Sequence, residues 1–348
     1  MQKVRLFSLL LLSLLHAGIW AQEVQMLQQQ KLSAWGIQPA NYSGITHIEG
    51  DRYAIVSDKE PQDGFYIFRI VQDSLTGQVV NVEREGFYGN PNAVTGKYGS
   101  VRDCEGIAYC PQLGTIFISG EGDQKVLEYS MEGLPTGRSL DMPVHFALSN
   151  TLRNGGLEAL TYDSVRQLFW TTTEFPLKSD RDDRFSYGQH VGGIHRLQSF
   201  DIDLKPREEY VYQYDRYQFR QSGRYYCHGI SALCALPDGR LIVLERELNV
   251  PRGYLGAKTR MKLYLVKPEP HLSIKDNARE TAPLQKTLLC SFDTRLSLFK
   301  TAYANYEGLC LGARLSDDRQ TLLLLCDSQA GAGKGGKHLK DFIKVIVF

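Results

Sequence analysis

The sequence predicts an all-β chain folded as a single-domain β-propeller, and three observations carry the prediction. A short phrase returns along the chain as Glu105-Gly-Ile, Glu158-Ala-Leu and Glu307-Gly-Leu, with Ser43-Gly-Ile and His228-Gly-Ile as variants. Each copy runs on through an apolar stretch to an acid, at Asp58, Glu121, Glu174, Glu245 and Asp327, and the acids of the Glu105 and Glu158 copies stand 16 positions apart. Apolar residues also fall two and four places after the leading residue, as Ile107 and Tyr109 or Leu160 and Tyr162, which is the period of a half-buried strand. Repeats of this kind, spread from Ser43 to Asp327, are the mark of a repeated architecture. Two antiparallel strands joined by a turn bring the start of the first and the end of the second to one edge. With the first strand innermost, Ser43, Glu105, Glu158, His228 and Glu307 then ring the mouth of a central channel.

Taken in order, the chain opens with Lys3 and Arg5, an apolar run over 6–15 and small residues over 17–21. This pattern predicts a signal peptide over 1–21, a propeller domain over 22–348 and a secreted or periplasmic protein. The apolar run is short for a membrane span. Residues 24–39 predict a strand that closes the ring, and 65–71 the third strand of the first blade. The stretch 81–100, rich in Gly, Asn and Tyr, reads as a loop at the mouth or an irregular edge. In the third blade a charged insertion, 175–184, follows Glu174 and is expected to hang over the channel. Between His228 and Glu307 lie 79 positions, more than the ~40–45 residues of one four-stranded blade; a sixth blade is therefore expected around Leu284 to Phe292. The Gly-Lys segment 331–337 lacks the spacing and the Ser/Thr of a phosphate loop and reads as a hairpin tip. Residues 342–348 read as a terminal strand.

The formal charge of +1 falls by two, to −1, once Lys3 and Arg5 leave with the leader, which argues against nucleic acid held by bulk charge. Seven cysteines show no paired Cys-x-x-Cys spacing of a zinc site and read as buried small hydrophobes. Neither a Gly-x-Ser-x-Gly elbow nor a His-Glu-x-x-His pair is present. Three carboxylates converging on one axis repel one another unless a cation stands between them or some are protonated. Glu105, Glu158 and Glu307, joined by Asp103, thus form a candidate site for a divalent cation, calcium above all; pairing of the acids with Arg102, Arg153 or Arg246 is the architectural alternative. Glu121 and Glu174 are candidates to move a proton. His228 is a ligand, a base or a polar core residue. Arg102, Lys178 and Arg246 are candidates to grip a small anionic substrate, and the chain is expected to act as a monomer.

Asp103-x-Glu-Gly-Ile, Asn154-Gly-Gly-Leu-Glu-Ala-Leu160, Thr173-Glu-x-Pro-Leu177, Leu244-Glu-Arg246 and Tyr306-Glu-Gly-Leu309 with Leu325-x-Asp327 resemble the phytase-like family described as having esterase-like activity. The resemblance covers nearly all of the chain after the leader. It implies an exported propeller related in architecture to calcium-dependent phytases, with phosphoester or ester hydrolysis as the expected activity. Ser43 and His228 depart from the acidic pattern and make the ring less acidic than a multi-calcium site. A lactonase-type propeller and a non-catalytic ligand-binding propeller are the other readings.

Overall fold

The computed structural model describes residues 24–348 apart from 59, 61, 91–101, 183–191, 217, 218, 220–224, 252–254, 299–301, 329–332, 335 and 336. The predicted leader, residues 91–100 of the expected mouth loop and residues 183–184 of the insertion lie outside the described residues.

Blade I pairs, from the axis outward, Tyr42–Glu49, Arg52–Ser57, Gly64–Gln72 and Val79–Gly89. Blade II pairs Cys104–Cys110, Thr115–Gly120, Lys125–Tyr129 and Pro135–Ser139. Blade III pairs Leu157–Asp163, Leu168–Thr173, His195–Phe200 and Pro206–Tyr212. Blade IV pairs Tyr225–Ala235, Leu241–Val250, Lys258–Val266 and Lys286–Arg295. Blade V begins with Asn305–Arg314, Gln320–Asp327 and Phe342–Val347, and its edge comes from the other end of the chain: Gln25 pairs Val347 and Gln30 pairs Ile343. The innermost strands touch in the order I to V, and V returns to I. The ring is therefore closed by the predicted N-terminal strand.

The blades number five rather than six. The region around Leu284–Phe292 is not a separate blade, because Lys286–Arg295 is the outermost strand of blade IV. Two features take up the extra length. Blade IV strands run to 9–11 residues, and the connection 267–285 leaves blade IV to lie on blade III, where Ile274 N donates to Glu209 O (2.7 Å) and Leu284 N to Val211 O (2.8 Å). Of the two readings for this stretch, 81–89 follows the irregular edge: it is the outermost strand of blade I, with two register shifts against its neighbour, and is anchored by buried Val79 and Val82.

Runs such as Leu322–Leu325 show no alternation because a blade strand is covered on both faces by its neighbours, and all four are fully buried. Each interface between blades has its own core. Ile45, Phe68, Leu323 and Ile343 fill the space between V and I, and Val56, Phe65, Ile107 and Ile118 that between I and II. Between II and III the rings of Phe117 and Phe169 approach to 4.4 Å, an aromatic contact that adds to the burial itself. All seven cysteines are free thiols, six of them buried and Cys227 half-buried. Gly333–Lys334 pairs with Lys337–His338, as a hairpin requires. Among the described residues no helix is long and apolar enough to cross a membrane.

Candidate functional site

Every innermost strand breaks its ladder once near the axis, with register shifts at Tyr42/Gly44, Cys104/Ile107, Leu157/Ala159, Ile230/Ala232 and Tyr306/Gly308. A bulge of this kind re-aims the extra residue, and here the extra residues include Ser43, Glu105, Glu158, Ser231 and Glu307. The leading residue of blade IV is thus Ser231, not His228. A matching pair of contacts supports the alignment: Ser43 Oγ donates to Cys104 O (2.9 Å) and Ser231 Oγ to Tyr306 O (3.2 Å), in each case the residue before the next blade's leading glutamate. His228 lies three residues earlier, buried, edge-on to Tyr214 with ring centroids 4.7 Å apart.

Across the ladder, the second strand delivers its last residue to the same end. Asp58 N donates to Asn41 O (3.4 Å), Glu121 N to Asp103 O (2.9 Å) and Glu174 N to Gly156 O (2.8 Å), while Asp327 faces Asn305 and Arg246 faces Gly229. Blade IV therefore places Arg246 where the other four blades place an acid. Glu245 turns to the opposite face, where it accepts from Tyr212 OH (2.6 Å), Lys286 Nζ (2.6 Å) and Asp215 N (3.1 Å). It is a tie within the outer part of the fold and not a mouth residue.

The acids fall into two groups. Asp58, Asp103 and Glu105 offer oxygens within 4.8 Å of one another, all three partly exposed. Glu121, Glu158 and Glu174 form a second set at the same spacing, the last two buried. Glu121 Oε1 also accepts from Gly156 N (2.9 Å). Arg246 lies against the second set: its guanidinium pairs with Glu174 and Glu307, donates to Asn305 Oδ1 (3.2 Å) and stands 3.9 Å from Glu158 Oε1. Asn305 Nδ2 donates to Glu307 Oε1 (2.7 Å), and the Cys227 thiol to Glu174 Oε1 (2.9 Å). The predicted quartet is thus divided. Asp103 and Glu105 join Asp58, Glu158 joins Glu121 and Glu174, and Glu307 belongs to Arg246.

Burial is the largest influence on the carboxyls of Glu105, Glu158 and Glu307. It pushes Glu105 well above the usual carboxylate range, and the charges of Glu158, Asp58, Glu307 and Asp103 push in the same direction. Glu158 is raised by burial and by Glu174, against the pull of Arg246. Glu307 is raised by burial to about 7, again against Arg246. Hard oxygen donors gathered within 4.8 Å of one another and partly open to solvent fit a divalent cation of the calcium type. Asp58, Asp103 and Glu105 are the residues that would hold it. Along the axis the strands close in: Ile45, Ile107, Leu160, Leu233 and Leu309, with Glu105, Glu158 and Glu307, line a void of only about 10 Å³. A Cβ on Gly44 would stand 2.4 Å from Glu105 O.

Two of the predicted anion contacts have other partners. Arg102 is buried between blades I and II, donating to Asp123 Oδ2 (2.9 Å), Tyr129 OH (2.6 Å), Ile118 O (3.1 Å) and Lys125 O (3.0 Å). Arg246 is taken up by the acids. Lys178 is exposed on the insertion, its Nζ donating to Ser149 O (2.9 Å). The roles of Asp58 and Ser231 were missed in the sequence. Ser231 had a signal, since Ser231-Ala-Leu reaches Pro237 six places on, as Glu105-Gly-Ile reaches Pro111.

A five-bladed propeller that gathers carboxyl groups from four blades at one mouth is the class that fold and site define. Within that class, the chain belongs to the phytase-like family, described as esterase-like activity of phytase, which matches residues 38–328. No curated protein matches the chain in sequence. Among solved structures it is similar to a luciferin-regenerating enzyme (12% identity, 93% of this chain and 96% of that one, TM-score 0.44). It is also similar to the PQQ-bound aldose sugar dehydrogenase of Streptomyces coelicolor (12%, 94% and 98%, 0.44) and to an endo-arabinase of Bacteroides thetaiotaomicron VPI-5482 (11%, 88% and 94%, 0.44).

Proposed function

We propose that the chain is an exported, metal-assisted hydrolase of an anionic ester, phosphomonoesters included, acting at the acidic mouth of the propeller. The observation that carries this reading is the partly exposed trio Asp58, Asp103 and Glu105, whose oxygens lie within 4.8 Å of one another. A bound divalent cation supplies charge neutralisation and polarises an ester oxygen. The chain's own groups supply the proton chemistry. Glu121, fixed by Gly156 N, takes the proton of the attacking water, and Glu158, whose hold on a proton is strengthened by burial and by Glu174 against the pull of Arg246, donates one to the leaving oxygen. Lys178, exposed on the insertion, contacts the anion.

Calcium titration followed by thermal unfolding tests the reading, since a ligand specific to the folded state raises the midpoint. The expected outcome is a rise in midpoint and turnover of p-nitrophenyl phosphate, both lost in Glu105→Gln with folding retained. Absence of any shift with divalent ions, together with absence of turnover on phosphate esters, carboxylic esters and lactones, would leave a ligand-binding propeller. N-terminal sequencing of the protein recovered outside the cytoplasm should begin at Gln22.

A further inference from the structure

Arg246 occupies a place in the pseudo-fivefold hub that the other blades give to Asp58, Glu121, Glu174 and Asp327. Its side chain is only 5% exposed, and both terminal nitrogens of its guanidinium are turned to the protein's own groups, Glu174, Glu307, Asn305 and the Cys227 sulfur at 3.8 Å, which leaves Nε buried and without a hydrogen-bond partner. A guanidinium in this position cannot offer an oxyanion the paired N–H groups that recognition requires. It does what a bound cation would do among Glu158, Glu174 and Glu307, holding together two buried carboxyls and one partly exposed one that would repel when ionised. In the opposite half Asp58, Asp103 and Glu105 bring their oxygens within 4.8 Å of one another, and all three are partly exposed.

We infer that Arg246 is a built-in counter-cation standing where a second metal ion would otherwise bind, so that it confines metal uptake to the Asp58, Asp103 and Glu105 half of the mouth. The inference deepens the metal-dependent reading above and relies on it for the ion. An arginine at this one position converts a site chemically able to hold two divalent ions into a site for one. Arg246 is on this account a specificity-determining residue for ion number, not a contact for substrate.

Equilibrium dialysis with calcium against the full chain, beside thermal unfolding, decides the matter. The wild type is expected to bind one ion per chain, Arg246→Gln two with a larger calcium-dependent rise in melting temperature, and Arg246→Lys one. Equal stoichiometry in wild type and Arg246→Gln, or two ions in the wild type, overturns the inference while leaving the metal-dependent reading standing. No ion in the wild type but one in Arg246→Gln removes the metal-dependent reading and, with it, the confinement of uptake to the Asp58, Asp103 and Glu105 half. No ion in either removes both. Should Arg246→Gln fail to fold without ions, recovery of its folded signal at saturating calcium supports the inference; persistent unfolding, with Arg246→Lys folded, overturns it.

Discussion

At the scale of single residues, the hub depends on the absence of side chains as much as on their presence. Gly44 follows the leading residue of blade I, and a methyl group there would meet Glu105 O at 2.4 Å, Val56 Cγ2 at 3.0 Å and Ile107 Cγ2 at 3.2 Å. The first of these is backbone and cannot swing aside. Gly44→Ala is therefore expected to destabilise the chain by about 1–3 kcal/mol, the usual cost of overpacking a close contact, read as a lowered urea midpoint. Blade IV also shows what a sequence can and cannot convey. The acids of blades II, III and V were legible because Glu105, Glu158 and Glu307 each precede a small residue and an aliphatic one. In blade IV two phrases compete, His228-Gly-Ile and Ser231-Ala-Leu. Ten of the eleven residues of Tyr225–Ala235 are wholly or partly buried, so periodicity does not choose between them. The ladder shift at Ile230/Ala232 chooses.

At the scale of elements, the arginines separate into structure and chemistry by their partners. Arg102 joins the start of blade II to Asp123 and Tyr129, and Tyr129 OH in turn donates to Asp63 Oδ2 (2.5 Å) from blade I. Arg102→Met keeps the bulk but strips the Asp123 carboxylate, the Tyr129 hydroxyl and the carbonyls of Ile118 and Lys125 of their donor. Breaking a buried pair from one side costs about 3–5 kcal/mol. Chemical denaturation should show a loss of that order, with KM of the folded fraction unchanged; a raised KM at intact stability would return Arg102 to the anion. The extra blade expected from the sequence failed for a related reason. Length alone does not distinguish a blade from long strands with a wandering connection, and 267–285 reveals its course only through its bonds to blade III.

At the scale of the whole molecule, the ring is held shut where the two ends of the chain meet. Just before the last strand, Asp341 accepts from Leu32 N through its carbonyl (3.0 Å) and from Ala40 N through Oδ2 (3.3 Å). Burial raises its carboxyl from 3.8 to about 6. An acid whose folded value lies above its unfolded one stabilises the fold while protonated, and that contribution is lost as pH rises from about 4 through 6. At neutral pH the buried charge costs at most about 3 kcal/mol, at roughly 1.36 kcal/mol per unit. Asp341→Asn should therefore raise the melting temperature at pH 7 and flatten its fall between pH 4 and 7; a variant less stable than wild type at pH 7 would count against the assignment. The apolar collar of Ile45, Ile107, Leu160, Leu233 and Leu309 along the axis has a consequence for traffic. A space of about 10 Å³ has room for roughly one water molecule, so under the proposed function a substrate and its products would share the acidic mouth as their one way in and out.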